Sequence, residues 1–179
     1  MTFTPKSALP RLTPESYLGR TSIFWTHTIA DRKTGWLNDS FHLRFRELLC
    51  HVLARHGAVC PVFCHMPDHI HLLISGIDEN CDQHQCLRLL RQEINHLIAP
   101  VKLQMQAHDH VLRDDERERA AFEKIAHYIQ QNPVRKGLCV DWTGYAYTGC
   151  LVPGYFNLEP KQADFWERYW RIYNKIVAR

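Results

Sequence analysis

The chain has 179 residues, of which 45% are hydrophobic and 23% charged, and its formal net charge at pH 7 is +3. These values exclude a disordered tail protein and a collagen-like repeat, and the charge is too small to identify a nucleic-acid-binding protein by itself. No apolar run approaches the roughly 20 residues that span a bilayer, and the first residues show no secretory signal. We therefore expect a soluble cytoplasmic protein without a membrane partner.

The organisation along the chain indicates one main domain with two additions. No internal repeat or proline-rich linker is present, and the seven cysteines form no C-x-x-C pair. Such an odd, unpaired set is typical of reduced thiols that behave as small buried hydrophobes. We predict an N-terminal arm over 1–20, a domain over 21–150 and a tail over 151–179.

The first half of the domain predicts a strand, a helix and a hairpin. Residues 21–30 are β-branched and aromatic and alternate as a strand does. A helix is predicted from a cap at Asn38 or Asp39 to about His56, with Gly57 ending it. Residues 58–65 and 69–75 are two apolar strands joined by a turn at Met66-Pro67-Asp68.

The second half predicts two more helices and a weak strand. One helix runs from about Gln83 to Ala99 and stops at Pro100, and a fourth strand is predicted over 101–105. The next helix begins at Asp114 or Asp115 and ends at Pro133. This succession predicts an α+β fold, a ferredoxin-like (RRM-like) sandwich with an antiparallel sheet and an added tyrosine-bearing helix.

Past Gly137 the sequence predicts loops and then a C-terminal amphipathic helix. From about Gln162, aromatic and aliphatic residues recur at i, i+3 and i+4 spacings, which gives one strongly apolar face. Two interpretations are open for this face. It packs on the main domain, or it binds a partner or a second copy of the chain.

Two histidines in the hairpin form the first candidate site. His69 and His71 are alternate residues of a strand and point to one face, while Ile70 points to the opposite layer. Two adjacent imidazoles suit a divalent cation. The same spacing also occurs by chance in a chain with twelve histidines, so a pair of half-buried histidines with ordinary hydrogen bonds is the alternative.

The second candidate lies in the run from Tyr128 to Gly137. Tyr128 and Asn132 are four residues apart and lie one above the other on a helix. A tyrosine hydroxyl is a poor nucleophile unless a cation or base stabilises its phenolate, and a neighbouring metal does so. The alternative is that Tyr128 packs its ring and Asn132-Pro133 merely ends the helix.

Together these two runs resemble a known family. The sequence MPDHIHLLI, followed some fifty residues later by YIQQNPVRKGL, resembles the HUH single-tyrosine transposases, in particular the REP-associated tyrosine transposases. RLTPESYLGR at the entrance and HVLRDDER before the tyrosine helix support the resemblance, which covers roughly residues 10–150. The aromatic tail matches nothing in that family.

The resemblance implies an enzyme that nicks and rejoins single-stranded DNA through a 5′-phosphotyrosine intermediate. It implies that His69 and His71 hold magnesium or manganese and that Tyr128 attacks the scissile phosphate. Asn132 occupies the position of the third ligand, which is glutamine in many relatives, and Gln131 is the substitute candidate. The implied partner is single-stranded or hairpin DNA, and nucleoid association would follow.

Two departures from the family pattern keep an alternative open. Asp68 stands where the family commonly has asparagine, and residues 103–108 lack the Trp-Gln and Phe found in many relatives. The alternative is a catalytically inactive, domesticated hairpin-binding protein. Whether the chain acts as a homodimer or a monomer is also open. Residues predicted to contact DNA are all basic: Arg11, Arg20, Arg88, Arg91, Arg113, Arg135 and Lys136.

A third hypothesis is a zinc protein. Cys60, Cys64 and His65 lie close together in the first hairpin strand. We expect Cys60 and Cys64 to share one face of that strand and His65 to point the other way. Such a set does not converge on one tetrahedral ion, and structural zinc prefers ligand pairs on loops or knuckles.

Overall fold

The computed structural model describes residues 12–178 and shows a five-stranded antiparallel sheet with helices on both faces. The strands are β1 (Ser22–Thr28), β2 (Ala58–Met66), β3 (His69–Gly76), β4 (His108–Val111) and β5 (Thr148–Leu151). The helices are α1 (Asp39–His56), α2 (Gln83–Leu97), α3 (Asp114–Arg117), α4 (Arg119–Gln130), α5 (Asn132–Arg135) and α6 (Phe165–Val177). Within the described range, no helix has the length and apolar character needed to cross a membrane.

The strand order confirms the predicted fold class. The sheet runs β4-β1-β3-β2-β5, and its first four strands are in the order that two split β-α-β halves produce. Helices α1 and α2 pack against each other and cover one face. Helix α4 lies against β2 and β3 on the other face. The protein is therefore an α+β sandwich of the ferredoxin-like type with an additional strand beside β2.

Local signals explain the limits of α1. The Asn38 side chain accepts a hydrogen bond of 2.9 Å from the Phe41 N–H, which caps the first turn. At the other end Gly57 has a φ of 61°, and its N–H donates to the carbonyl of Leu53. This left-handed conformation favours glycine and releases the chain directly into β2.

Alternation along β3 separates its side chains into two layers. Ile70, Leu72 and Ile74 belong to the hydrophobic core under α1 and α2, whereas Leu73 belongs to the core under α4 and α6. His69 and His71 share the parity of Leu73 and therefore lie together on the α4 side, opposite to Ile70; the sequence predicted that they share one face. The fold thus places the two histidines on the face that carries the tyrosine helix.

The fourth and fifth strands correct the sequence prediction. The predicted strand over 101–105 is wrong, since only Leu103 in that stretch makes an isolated bridge, to Ile29, and the fourth strand is His108–Val111. This edge strand is polar and half exposed, so it carries no apolar pattern. The segment past Gly137 was predicted as loops, but Thr148–Leu151 pairs with β2 and is buried there.

The predicted helix from 114 to 133 is divided into three. Glu118 has extended ψ of 139° and separates α3 from α4, and α4 ends at Gln130. Pro133 does not end the helical region, because it stands in the first turn of α5, where a missing N–H breaks no helical hydrogen bond.

A β-bulge in β2 corrects the expectation for the cysteines. The pairing of β2 shifts between Val59 and Val62, so parity along the strand changes. Cys60 consequently lies in the core under α1 and α2, whereas Cys64 lies in the core on the opposite face. The prediction that both share one face is wrong. The rings of Phe45 and Phe63 surround His65 on the α1 side, so the three groups of the zinc hypothesis are dispersed.

The C-terminal helix packs on the domain, as the first interpretation expected. Phe165 and Tyr169 are buried, and the Tyr169 ring lies parallel to that of Phe122 in α4, with centroids 6.4 Å apart. The Trp170 indole N–H donates to Glu123 at 2.8 Å. These contacts join α6 to α4 and enlarge the core behind the histidine face.

Candidate active site

The two hairpin histidines converge on one point. Their Nε2 atoms are 3.0 Å apart, and the rings meet edge to face with centroids 4.5 Å apart. Both residues are only 8% exposed, and we call the region around the pair, between β3 and the end of α4, the recess. This arrangement directs one nitrogen of each imidazole ring towards the same point.

The outer nitrogen of each ring has its own partner. His69 Nδ1 donates to the Asp68 carboxylate at 2.6 Å, because that carboxylate is an acceptor only. His71 Nδ1 lies 3.0 Å from the hydroxyl of Thr26 on the neighbouring strand. With both Nδ1 atoms hydrogen-bonded, the rings are held in orientation and the Nε2 atoms are directed at the recess.

Burial keeps both imidazoles neutral. Desolvation lowers the pKa of His71 to about 3, with further lowering by the nearby His69 and Arg135. Burial also lowers the pKa of His69, although the hydrogen bond to Asp68 opposes this effect. For Asp68 itself, partial burial raises the pKa, but the hydrogen bonds from His69 and Arg32 bring it below its ordinary value. Neutral imidazole is the form that binds metal ions.

Asn132 joins this pair through the change from α4 to α5. It is buried, and its Nδ2 donates to the carbonyls of Tyr128 and Ile129 at 3.2 and 3.1 Å. The Asn132 side chain also lies near His71, where it opposes the larger lowering of that histidine's pKa by burial. The Gln131 amide instead contacts His127 at 3.3 Å. The structure therefore brings Asn132, and not the substitute candidate, to the histidines.

Tyr128 lies on the same face with its ring in solvent. Its side chain is 51% exposed. The ring is 6.4 Å from the Phe24 ring, which in turn is 5.3 Å from the His71 ring. The Arg135 guanidinium stacks on the tyrosine ring at 3.7 Å from its centroid. An accessible phenol beside the histidine recess is what attack on an external phosphate requires.

The two Nε2 atoms are spaced as two ligands of one divalent cation would be. Ligands at about 2.1 Å in adjacent octahedral positions are about 3.0 Å apart, which is the observed separation of the two Nε2 atoms. The Asn132 amide is the third group. Within residues 12–178 there is no cluster of three or more histidine, cysteine, aspartate or glutamate side chains that could hold a metal ion. A metal at this recess would therefore depend on the amide oxygen and on solvent for its remaining ligands.

Two of the predicted DNA-contacting residues lie at this recess. Arg135 donates to the carbonyl of Tyr128 at 2.8 Å and to Asn132 Oδ1 at 3.2 Å. The Lys136 ammonium is close enough for its charge to lower the pKa of His69, in addition to the larger effect of burial. Both cations therefore border the surface where a strand would meet the phenol.

The other predicted basic residues lie elsewhere. Arg20 forms an ion pair with Glu79 at 3.1 Å, and Arg113 forms one with Glu116 at 3.5 Å. Arg88 and Arg91 line a cavity on the opposite face of the sheet. Arg11 lies outside the described residues. The six candidates in the described range thus do not form one continuous strip.

Sequence analysis missed three contributors to the site. Asp68 was interpreted as a turn residue only, yet its carboxylate orients His69 and also accepts from Arg32 at 2.9 Å. The one sequence signal for this role is that Asp68 directly precedes His69. Thr26 and Phe24 reach the site through the pairing of β1 with β3, where Thr26 stands opposite His71. No local pattern reveals such a pairing.

Comparisons with solved structures show which fold this is. The structure of a REP-associated tyrosine transposase bound to a REP hairpin matches with a TM-score of 0.65 and 17% sequence identity, over 79% of this chain and 81% of that chain. Two structures of a bacterial tRNA(His) guanylyltransferase-like protein, with GTP and with ATP, match with TM-scores of 0.49 and 0.38. Their identities are 12% and 14%, over 90% and 70% of this chain and 91% and 65% of those chains.

The sequence comparisons add no family assignment. A scan against protein families finds no match, and a search of curated proteins finds none. The chain therefore has the fold of the transposase structure, which confirms at that level the resemblance that the motifs indicated.

Proposed function

We propose, from the fold shared with a REP-associated tyrosine transposase, that this chain binds hairpin DNA and nicks and rejoins its single-stranded part through Tyr128. The observation that carries the proposal is the meeting of three predicted groups in one recess. His69 and His71 present their Nε2 atoms 3.0 Å apart, and the buried Asn132 side chain lies close enough to His71 to act on its pKa. The related structure holds a REP hairpin, and a hairpin is accordingly the substrate class proposed here.

The chemistry follows from the positions of these groups. The Tyr128 hydroxyl releases its proton to solvent as its oxygen attacks the phosphorus of a scissile phosphodiester. A bond from that oxygen to phosphorus forms, and the bond from phosphorus to the 3′ oxygen breaks. The products are a 5′-phosphotyrosine ester and a strand ending in a 3′-hydroxyl, which takes up a proton from solvent. Attack by a 3′-hydroxyl on the ester reverses these steps and joins strands without an external energy source.

A divalent cation is the cofactor we propose for the recess, magnesium or manganese. It would be held by His69, His71 and Asn132, and when bound it supplies charge that polarises the phosphate. The Asp68 carboxylate accepts from His69 Nδ1 and so leaves the Nε2 of that ring unprotonated for a cation. The Thr26 hydroxyl would accept from His71 Nδ1 once a cation takes the place of a proton on His71 Nε2. The cations of Arg135 and Lys136 contact and position the phosphate backbone.

All the groups of the site belong to one chain. The Tyr128 ring lies near Phe24 and Phe24 near His71 within a single copy, which supports a site assembled in cis. Mixing Tyr128→Phe protein with His71→Ala protein tests this arrangement. A site in cis gives no recovery of activity in the mixture, whereas a domain-exchanged dimer restores about a quarter of it.

The deciding experiment follows covalent adducts with DNA. Hairpin oligonucleotides with single-stranded flanks, taken from the DNA around this gene, are incubated with protein and Mg²⁺ or Mn²⁺ and analysed on denaturing gels. We expect a protein-linked 5′ product and a free 3′ product. Tyr128→Phe should abolish the adduct and keep hairpin binding. The matched control is Tyr173→Phe, at a partly buried tyrosine of α6, which should keep both the adduct and hairpin binding. Adducts that persist in Tyr128→Phe would reject the nucleophile.

A second candidate function is favoured by one observation. Asn132 Oδ1 already accepts a hydrogen bond from Arg135, and this bond competes with coordination of a cation. An inactive hairpin-binding protein would show hairpin binding without any metal-dependent cleavage by the wild-type chain. The same gel experiment separates the two functions.

A further inference from the structure

A cavity of about 530 Å³ lies on the face of the sheet opposite the histidine recess. Its walls come from β1, from one side of α2 and from the segment before β4. The residues that line it are Trp25, His27, Asp82, His84, Gln85, Leu87, Arg88, Arg91, Met105 and Ala107. Its volume lies in the range of pockets that enclose small organic ligands.

The cavity exists because the chain leaves the sheet beside His27. Thr26 pairs with His108 in β4, and the Gln104 N–H donates to the Thr28 carbonyl at 2.8 Å. Between these two points β1 has one residue, His27, whereas the segment that runs beside it has the three residues 105–107. The extra length moves outward, and Met105 there is 87% exposed. The cavity is the space that remains between His27 and helix α2.

His27 is a buried polar group without an internal partner. It is 2% exposed, and neither ring nitrogen has a hydrogen-bond partner among the described residues. Leaving a buried polar group unpaired is unfavourable, so such groups in proteins usually have a partner or a function. Burial, assisted by the charge of Arg91, lowers the pKa of His27 to about 4. The neutral ring therefore offers one N–H donor and one acceptor nitrogen.

Helix α2 presents one side to this space. Positions 84, 87, 88 and 91 have the i, i+3, i+4, i+7 spacing of one helix face, and all four line the cavity. Arg91 Nε donates to the Gln104 carbonyl at 3.0 Å, which fixes the outgoing segment. Arg88 is exposed and makes no ion pair with any residue in the described range. Its guanidinium remains available to an anion.

The remaining walls are aromatic and apolar. The Trp25 and His84 rings meet with centroids 5.9 Å apart, and Leu87 adds an aliphatic surface. Asp82 contributes the one carboxylate, and both its oxygens accept hydrogen bonds from Gln85, at 3.0 and 2.9 Å. The space therefore combines flat apolar rings, one buried hydrogen-bonding ring and two guanidinium groups. This set matches a planar heterocycle that carries a phosphate.

We propose that this cavity binds one unpaired nucleotide, with its phosphate on Arg88 and Arg91 and its base hydrogen-bonded to His27. The proposal rests on the proposed function for its source, which is a nucleotide of the DNA strand whose cleavage takes place on the other face. A free mononucleotide offers the same chemistry, and the experiment distinguishes the two sources.

The test titrates the full-length chain with the four deoxynucleoside 5′-monophosphates. Deoxyribose 5-phosphate and inorganic phosphate are the probes without a base. NMR signals of the His27 ring and calorimetry report binding. We expect saturable binding of at least one mononucleotide with a shift of the His27 signals, and at least tenfold weaker binding of the two probes. Equal responses to inorganic phosphate, or no saturable binding, would overturn the proposal.

Variants locate the site. Arg88→Ala should weaken mononucleotide binding at least tenfold, whereas Arg55→Ala, the same change at an exposed arginine of α1, should leave it unchanged. His27→Leu should also weaken binding at least tenfold and keep its thermal unfolding midpoint, since no internal hydrogen bond is lost. Equal binding by Arg88→Ala and by Arg55→Ala would reject the site. This pair decides the question even if His27→Leu does not fold.

A competition measurement identifies the source of the nucleotide. A single-stranded oligonucleotide of random sequence should displace the mononucleotide if the cavity holds part of a DNA strand. Mononucleotide binding without displacement retains the site and assigns it to a free nucleotide. Mononucleotides lack a scissile internucleotide bond, so these measurements do not depend on cleavage. Failure of the adduct experiment and failure of this proposal are therefore separate results.

Discussion

The guanidinium of Arg135 lies 3.7 Å from the centre of the Tyr128 ring, and it also donates to the backbone carbonyl of the same tyrosine at 2.8 Å. A third contact reaches Asn132 Oδ1. One planar group therefore fixes the proposed nucleophile, the last turn of α4 and the amide beside the histidines. Only arginine has the fork of donors that this geometry uses.

Removal of this group should impair the site more than the fold. We expect Arg135→Ala to slow formation of the DNA adduct about 10- to 100-fold, the usual range when an orienting partner is lost. Unfolding free energy should fall by only about 1 kcal/mol for each hydrogen bond lost. Single-turnover rates and urea denaturation measure the two effects. Arg135→Lys should not restore the rate, and a lysine variant with full activity would contradict the orienting role.

Asp68 should control cation affinity through His69. Asp68→Ala removes the acceptor at 2.6 Å from His69 Nδ1, and we expect Mn²⁺ binding to weaken about 10- to 100-fold. Asp68→Asn retains an oxygen acceptor and should lose much less affinity. Asp115→Asn, at an exposed aspartate of α3, is the control with the same loss of charge. Titration calorimetry with Mn²⁺ gives the affinities, and an Asp68→Ala protein with wild-type affinity would refute this role.

Two phenylalanines provide a matched measure of how α6 is held. Phe165 is 2% exposed in the core below α4, whereas Phe156 is 73% exposed. Phe165→Ala should lower the free energy of unfolding by about 3 to 5 kcal/mol. Phe156→Ala should change it by less than about 0.5 kcal/mol. Chemical denaturation monitored by tryptophan fluorescence tests both, and equal losses would show that α6 does not form part of the core.

His27 should make stability depend on pH. Its pKa is lowered from 6.5 to about 4 by burial, so between these values the unfolded chain binds a proton that the folded chain does not. Its contribution is therefore fully present above pH 6.5 and is lost as pH falls towards 4. From pH 7 to 4.5 the unfolding free energy of the parent should fall about 2.5 kcal/mol more than that of His27→Leu. Parallel curves for the two proteins would exclude a neutral buried histidine.

The sequence predicted best where the determining interactions are local. Asn38 and Gly57 limit α1 through contacts within one helical turn, and alternation alone placed His69 and His71 on one face. The edge strand His108–Val111 was missed because it is polar and is defined by its pairing with β1. Cys60 was assigned to the wrong face because one bulge reverses parity. Such features depend on partners distant in the sequence.

The site divides in the same way. Spacing singled out Tyr128, Asn132 and the two histidines as candidates, because their residue types suit the proposed chemistry. The residues that orient them, Thr26 from another strand and Asp68 from the turn, are ordinary residues whose roles come from register and proximity. Side chains that hold others in place have no distinctive pattern of their own, and they are found from coordinates.

The segment 105–107, which leaves the sheet between two fixed attachment points on β1, has a consequence for how such a protein diversifies. Substitutions or insertions there alter the rim of the cavity without shifting the strands on either side, since surface excursions tolerate changes in length. Thr26, on the reverse side of the same strand, keeps its contact with His71 throughout. The lining of the cavity can therefore evolve in this excursion while the histidine pair on the other face remains intact.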